Sequence, residues 1–482
     1  MSTLFTTERI EIADNIVSCV NNQGIEMQAT VLRLSRYQVV FEIYSPSAVL
    51  RMSEVLTDFK VSIAGRAVYY GRAVITSLVN AGTVLVCEVK LEDSWVDVAP
   101  FVPQFEGKAL RAGFDDFLQQ WQKIYRIDPE YKAVVADMHT FLTDMRLWLE
   151  QVELGIRSSP SSDRLQLEHD VLLELGQATT SAIGALFEKF EAVAMLVEAG
   201  RPDRRAAHSA FAKRLLHPLL LASPFLYRTF RKPLGYAGDY EMVNMICRDP
   251  LEGSTLFAKV INLWFLRQPP AEAHRNRIKF LVERITEVTA RALAERRPAR
   301  ILSIGCGPAI EVQRFVVAKP FADQAQFTLI DFNEETAEHA RSALENVKRK
   351  HGCSTEIRVI KKSVQQILKE SAKKVQGSSE GGYDFVYCAG LFDYLSDSVC
   401  RRLSNVLYDW VGPGGLFVST NVDGSNPRQL TMDYIMDWHL IYRRAHELAA
   451  LHPEGAPTEE ASVTADTTGV NIHYMVRKPK DG

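Results

Sequence analysis

The run Ile301-Leu302-Ser303-Ile304-Gly305-Cys306-Gly307-Pro308-Ala309-Ile310-Glu311-Val312 concentrates more chemistry than any other segment of this chain. Its glycines let a backbone turn tightly and approach a ligand closely. The helix that opens at Glu311 leaves its first N–H groups without partners inside the helix. For such a turn by itself, a plain strand–helix junction is the alternative. A second element weighs against the plain junction. Phe327-Thr328-Leu329-Ile330 ends in Asp331, 26 residues after Gly305, where roughly 20 is usual, and Lys319 to Gln326 can absorb the excess as a longer loop. An acid at the tip of a second strand accepts the hydroxyls of a ribose. Phe332 follows it, a third strand leads into Ser363 and Val364, where adenine contacts would fall, and a fourth ends at Ala389 and Gly390. A dinucleotide site asks for a third glycine under the pyrophosphate, and Ile310 stands there. A nucleoside sulfonium has no pyrophosphate to cradle, so the pattern favours S-adenosyl-L-methionine over NAD. The expected cofactor contacts are Gly305, Cys306, Gly307, Pro308, Glu311, Asp331, Phe332, Ser363, Val364, Ala389 and Gly390.

The other reactive residues cluster in three places. Gly235-Tyr236-Ala237-Gly238-Asp239-Tyr240 sets two tyrosines and an acid among small residues. Tyr236 and Asp239 either face the ligands as catalytic groups, with Tyr240 on the acceptor, or form a buried turn in which Tyr236 packs and Asp239 caps the next helix. Asn421 and Asp423 follow the fifth strand, and Asp393 and Tyr394 follow the fourth; loops at the carboxyl ends of such strands line a ligand crevice. Asn421 is the preferred catalytic polar contact there, with Asp393 and Tyr394 on the substrate side. Arg428, Arg443 and Arg444 lie beyond, and Arg428 or Arg443 is placed to hold a carboxylate in bidentate fashion, against the ordinary reading of arginines on a solvated helix face. His439 is a base candidate if the acceptor is a hydroxyl or an amine; a histidine among aromatics is more often a packing residue. The run Leu215, Leu216, Leu219, Leu220, Phe225, Leu226 and Phe230 reads as helix core, with an acyl tunnel as the alternative.

Three zones must position these residues. Residues 1–102 hold short β-branched and aromatic runs, Gln38 to Tyr44, Ala67 to Ser77 and Val84 to Leu91, separated by Ser45-Pro46, Ala64-Gly65 and Asn80-Ala81-Gly82. That spacing predicts a small β-barrel or sandwich. Residues 103–298 are helical in pattern: Asp128-Pro129 is a cap and first turn, and Val134, Met138, Phe141, Met145 and Trp148 recur as one face. Ser158 to Asp163 reads as a link before another long helix through Leu172, Ala182, Leu186, Phe190 and Val197. Residues 299–482 alternate strands (Arg300 to Ile304, Phe327 to Ile330, Glu356 to Ile360, Tyr383 to Cys388, Leu416 to Thr420) with helices, and end in a hairpin, Ser462 to Ala465 and Asn471 to Arg477. The expectation is a Rossmann-like α/β domain, a parallel sheet with helices on both faces and a terminal antiparallel hairpin.

Composition narrows the class. The chain has 482 residues, 46% apolar and 24% charged, with a formal net charge of −3. A nucleic-acid binder would show a basic excess. Seven scattered cysteines form no CxxC pair or zinc spacing, so no metal is expected and the thiols read as free in a reducing compartment. No signal core or 18-residue apolar run is present, and the expectation is a soluble cytoplasmic protein with no membrane span. The oligomeric state is open, a homodimer included.

Taken together, Arg300 to Lys478 resembles the class I S-adenosylmethionine-dependent methyltransferases. Two departures stand out: Ser303 where that family carries an acid, and Ala309 where it often carries glycine. A narrower resemblance rests on RKPLGYAGDYEMVNMI (231–246), AHRNRI (273–278), YCAGLFDYLSDSVCRRL, NVDGSNPR and TGVNIHYMVRKP. These are similar to the bacterial extracellular-factor enzymes that make 3-hydroxypalmitic acid methyl ester. The resemblance implies carboxyl O-methylation of a hydroxy fatty acid, giving a quorum-sensing signal. The alternatives are methylation of another small molecule or a protein, or a signalling scaffold that binds cofactor without turnover. The N-terminal zone resembles a degenerate PilZ barrel, whose usual form binds cyclic di-GMP through an RxxxR arm and a D/N-x-S-x-x-G turn. Here the turn aligns as Arg33-Leu34-Ser35-Arg36-Tyr37-Gln38 and only Ser35 fits, so a structural or dimerising barrel is expected and cyclic di-GMP is not.

Overall fold

Along β3 (Gln38–Tyr44) the side chains of Val39, Phe41 and Ile43 are buried and those between them are not, the period of a strand with one face on a core. The same alternation recurs in β1 (Ile16–Val20) and the first part of β2 (Glu26–Leu34), while β4 (Val55–Ile63), β5 (Arg66–Asn80) and β6 (Val84–Leu91) are less regular, with adjacent buried residues at Val55-Leu56 and Val89-Lys90-Leu91. These six strands close into a barrel in the order β1-β2-β3-β6-β5-β4 around Val17, Phe41, Leu56, Phe59, Ile75 and Val89. This computed structural model describes residues 15–35, 37–44, 50–63, 66–80, 84–92, 111, 114–115, 118, 127–159, 163–200, 204–373 and 382–480. The turns expected at Ser45-Pro46 and Ala64-Gly65, most of that at Asn80-Ala81-Gly82, Arg36 and the centre of the 158–163 link lie outside the described residues.

Asp128 caps α1 (Pro129–Ser158) by accepting from the Glu130 N–H, and Asp163 accepts from the Gln166 N–H at the start of α2 (Arg164–Gly200). These two long helices pack on α3 (Arg205–Leu220), α4 (Pro224–Arg231), α5 (Tyr240–Cys247) and α6 (Leu256–Leu266). Every residue of α6 except Lys259 is buried, and Trp264 stacks on Phe187 with ring centres 4.2 Å apart. α7 (Pro269–Ala294) then leads into the sheet.

The sheet has seven strands in the order β12-β13-β11-β10-β7-β8-β9, made of β7 (Ala299–Ile304), β8 (Ala325–Asp331), β9 (Glu356–Lys361), β10 (Tyr383–Cys388), β11 (Val411–Val422), β12 (Ala461–Ala465) and β13 (Asn471–Arg477). β7 to β11 run parallel; β13 pairs antiparallel with both β11 and β12. Helices α8 (Ile310–Ala318), α9 (Glu334–His351), α10 (Val364–Lys373), α11 (Asp397–Trp410), α12 (Gln429–Ile435) and α13 (Ala445–Ala449) connect the strands. The central strands are covered on both faces, so they read as continuous apolar runs. The strand order reverses between β7 and β10, which opens a crevice at their carboxyl ends.

The barrel is locked onto this crevice through its segment Leu50–Val55, in which all six residues are buried. The Met52 N–H donates to the Tyr394 carbonyl at 3.0 Å and the Val55 N–H to the Gly235 carbonyl at 2.7 Å. The Ser53 hydroxyl donates to the His439 carbonyl at 2.9 Å. Beside it, Lys90 of β6 donates to Ser209 and forms a buried ion pair with Asp437, which Lys213 also contacts. No described helix is long and apolar enough to cross a membrane, and no group of three or more His, Cys, Asp or Glu among the described residues could hold a metal ion.

Candidate functional site

The glycine turn is shaped by its backbone. Gly305 and Gly307 have φ of 70° and 53°, and Ala309, which opens α8, has φ 51°. A Cβ added at Gly307 would meet nothing within 4 Å, so the space before it is free for a ligand. The Gly305 and Cys306 N–H groups both donate to the Ile330 carbonyl, tying the turn to the end of β8. There the Asp331 carboxylate accepts from the Gly307 N–H at 3.1 Å and the Asn333 N–H at 3.0 Å. Asp331 is buried, and desolvation pushes its carboxyl up against those stabilising bonds.

A cavity of about 1760 Å³, its open mouth included, is lined both by this turn and by the helices. Gly305, Cys306, Gly307, Pro308, Glu311, Asp331, Phe332, Val364, Ala389 and Gly390 all line it. Ser363 does not; Lys362 does. The Ser363 hydroxyl instead accepts from the Gln366 N–H and its own N–H donates to the Gln366 side chain, which caps α10. Its apolar lining includes Phe225, Val243, Ile246, Trp264, Phe265, Met432, Met436 and Leu440. Of the run from Leu215 to Phe230 only Phe225 reaches the cavity; Leu216, Leu219, Leu220 and Leu226 belong to the helical core. The apolar lining thus comes mainly from α5, α6, α12 and the stretch after α12, with Phe225 the one contribution of that run.

The expected acceptor-side residues divide. Tyr236 lines the cavity, with its ring 5.0 Å from that of Phe332 and its hydroxyl 3.2 Å from the Thr336 hydroxyl. Burial and the nearby Asp331 push that hydroxyl's pKa up. Tyr240, Asp393, Tyr394 and Arg428 also line it. Tyr240 donates to Glu335 and stacks on His339. The Asp393 carboxylate accepts from the Val422 N–H, and the Tyr394 hydroxyl accepts from the Trp438 indole N–H at 2.9 Å. Arg428 donates to the Gln268 side chain at 2.8 Å.

Asp239, Asn421 and Arg443 do not line the cavity, and the reason is the same for each: their polar atoms are spent elsewhere. Asp239 caps α5 through the Met242 N–H and pairs with the guanidinium of Arg228, the turn-and-cap arrangement of its two readings. Arg443 donates to the carbonyls of Phe392 and Leu395, to Asp397 and to the Asn421 side-chain oxygen, while the Asn421 amide donates to the carbonyls of Val422 and Ile441. Together they brace the loop after β10 from behind. His439 is a buried packing residue beside Asp433, outside the cavity, and Asp423 caps its own loop at Ser425.

Three cavity residues have no counterpart in the sequence expectations. Arg277, on α7, is 8% exposed, and among the described residues no carboxylate lies within ion-pair distance of it. Its guanidinium is packed against Gly390, where a Cβ would come within 2.8 Å of Nη1. Gly390 also has φ 85°, so both space and backbone demand glycine there. His274, one helical turn before Arg277, donates from Nδ1 to the Pro270 carbonyl at 2.9 Å, since a carbonyl can only accept. Nε2 therefore keeps a lone pair. Burial and the neighbouring Arg277 depress this imidazole to about 3, so it stays neutral. The 273–278 motif places both residues on one helix face, and that i, i+3 spacing was the available signal. The third residue, Arg51, comes from the barrel and lines the same cavity.

Ser303 stands where an acid is common in such sites. A buried acid, Glu311, lies nearby in the first turn of α8. The buried Glu311 carboxylate accepts from the Tyr387 hydroxyl at 2.8 Å, and Tyr387 also contacts Ser303. Burial raises the Glu311 pKa, and Arg277 and Arg314 act against that rise.

Residues 273–453 match a family model described as a methyltransferase domain. Among solved structures, the chain resembles a possible exported protein from Bordetella parapertussis at 17% identity, with 67% of this chain and 99% of that one covered and a TM-score of 0.41. It also resembles magnesium protoporphyrin IX methyltransferase from Synechocystis with bound S-adenosylhomocysteine, at 11% identity over 43% and 84% of the two chains and a TM-score of 0.30. The N-methyltransferase NodS from Bradyrhizobium japonicum, in complex with S-adenosylhomocysteine, is 15% identical over 52% and 100%, also with a TM-score of 0.30. No curated protein matches the chain.

Proposed function

We propose that this methyltransferase transfers the methyl group of S-adenosyl-L-methionine to the carboxylate of an amphiphilic acid, a hydroxy fatty acid being the class that fits the site best. S-adenosyl-L-methionine is the cofactor. The glycine turn, the buried Asp331 carboxylate and the open space before Gly307 suit an adenosine, and Glu311 with Tyr387 suits a cationic amino-acid end. The bound cofactor supplies an electrophilic methyl group on a sulfonium.

The observation that carries the acceptor class is Arg277: a buried guanidinium, without a carboxylate partner among the described residues, in a cavity whose lining is otherwise largely apolar. A buried cation of this kind is costly until an anion pairs with it. A carboxylic acid is ionised near neutral pH because its pKa lies near 4, so no general base is needed. His274 suits that chemistry. An imidazole held near 3 is a poor base, yet its Nε2 lone pair can accept a hydrogen bond from an acceptor hydroxyl. Charge disappears as carboxylate and sulfonium react, so a dry chamber favours the step. Trp264, Phe265, Met432 and Met436 receive the alkyl chain.

The PilZ-like reading of the barrel belongs here as well. Its Arg33-to-Gln38 turn lacks most of the nucleotide-binding pattern, and its segment Leu50–Val55 is buried against the methyltransferase domain. We take it as a structural barrel.

The test is incubation with methyl-labelled cofactor and a cell lipid extract, followed by mass analysis of labelled products. An alkali-labile label on a fatty acid is expected. A label stable to alkali would place the methyl on nitrogen or an ether oxygen. Tight cofactor binding with no labelled product from any acid would favour the scaffold. Arg277→Met should raise the acceptor KM by roughly 100-fold while S-adenosylhomocysteine binding stays close to wild type.

A further inference from the structure

We propose that Arg51, carried by the N-terminal barrel, is a cofactor-contacting residue that closes over the adenosine end of the site, which makes the barrel a wall of the methyltransferase chamber. This rests on the S-adenosylmethionine reading above. Three observations carry it. Arg51 is 3% exposed and lines the cavity. Its guanidinium carbon lies 3.8 Å from the ring centre of Phe332, the residue after Asp331. Its Nε, though buried, has no hydrogen-bond partner, and none of its guanidinium nitrogens is within ion-pair distance of a carboxylate among the described residues.

The segment that presents Arg51 is rigid. Its own N–H donates to the Glu54 carboxylate at 2.9 Å, and the Asn22 N–H donates to the same carboxylate at 3.1 Å. The bonds from Met52, Ser53 and Val55 to Tyr394, His439 and Gly235 fix it against the methyltransferase domain. A guanidinium held in this way, with an orphaned donor, is built for a ligand rather than for protein partners. Arg277 sits next to Gly390 and lines the same cavity. The two arginines therefore address different parts of the ligands: Arg51 the ribose and base beside Asp331 and Phe332, Arg277 the reacting end.

The experiment is calorimetry with two probes, S-adenosylhomocysteine and 5′-methylthioadenosine, which has the adenosine but no amino acid. In the full chain, Arg51→Ala should weaken both by the same factor, roughly ten- to hundredfold, and Arg51→Lys should recover part of the loss. In the wild type, S-adenosylhomocysteine should slow hydrogen exchange across residues 50–55; this reading stands even if Arg51→Ala does not fold. Unchanged affinity for 5′-methylthioadenosine in a folded Arg51→Ala or Arg51→Lys protein overturns the inference, and so does cofactor binding that leaves exchange at 50–55 unaltered. A wild type that binds neither probe defeats the methyltransferase reading itself, and this inference with it.

Discussion

The guanidinium of Arg51 and the phenyl ring of Phe332 are in contact, 3.8 Å apart from carbon to ring centre, although one belongs to the barrel and the other to the tip of the sheet. A cation over an aromatic face is attracted by the ring's quadrupole, more strongly where water is excluded. Cofactor chemistry and barrel docking meet at this pair, and the site must be considered as one chamber with walls from three parts of the chain.

Asp331 is the residue on which adenosine binding should depend most. Asp331→Ala removes the carboxylate that faces the cavity and leaves the Gly307 and Asn333 N–H groups without their acceptor. Loss of about 2–3 kcal/mol of binding is expected, a 30- to 150-fold rise in the Kd of S-adenosylhomocysteine by calorimetry. Asp331→Asn keeps one acceptor oxygen and should lose less.

Arg443 should matter to stability and not to ligand affinity. Arg443→Met strips partners from the Phe392 and Leu395 carbonyls and from Asn421. A loss of about 3 kcal/mol in denaturant unfolding is expected, with S-adenosylhomocysteine affinity of the folded fraction unchanged. A change in acceptor KM at full folding would contradict its place behind the loop.

Ala309 holds φ 51° at the start of α8, a conformation that costs an L-residue about 1–2 kcal/mol. Ala309→Gly relieves that cost and gives back part of it in chain entropy. A net gain of about 0.5–1 kcal/mol in unfolding free energy is expected, read from the denaturant midpoint.

His217 gives a pH signature. Burial depresses its imidazole to about 4, while Nε2 donates to the Ile435 carbonyl at 2.8 Å. Below about 6.5 the unfolded chain binds a proton that the folded chain refuses, so stability falls as pH drops, by about 1.4 kcal/mol per unit down to about 4. His217→Gln removes this term. Relative to wild type at pH 7.5, the variant should gain on the order of 2 kcal/mol by pH 5, measured by urea unfolding at both pH values.

How much of this was legible in the sequence depends on the kind of signal. The strands from Arg300 to Cys388 and the acid at Asp331 announce themselves through apolar runs that stop at small or charged residues, and the structure has strands there. Local chemistry also marks the cap at Asp128. Position after a strand was less informative. Asn421 and Asp393 both follow or end a strand, yet one side chain turns into the brace and the other borders the cavity; only the alternation of faces at the strand end decides, and a shift of one residue reverses it. The run from Leu215 to Phe230 is mostly helix core, as its first reading had it, and the apolar part of the cavity lining carried no signal of its own. Leu215 to Phe230 and Trp264 to Leu266 are equally apolar, and only tertiary packing says which faces a void. Arg51 carried no local signal at all, because its meaning arises from a contact with Phe332 that is distant in sequence.

The docking of Leu50–Val55 also has a bearing on how the molecule is assembled. Ser53 meets the carbonyls of Asp437 and His439 across sequence separations of 384 and 386 residues. A chain made from its N-terminus forms the barrel first, yet the surface that receives this loop does not exist until the last strands are in place. Long-range closures of this kind come late and slowly. A barrel folded on the ribosome would therefore leave Leu50–Val55 without its partners until synthesis has passed His439, and hydrogen exchange of stalled chains should find that segment unprotected until then.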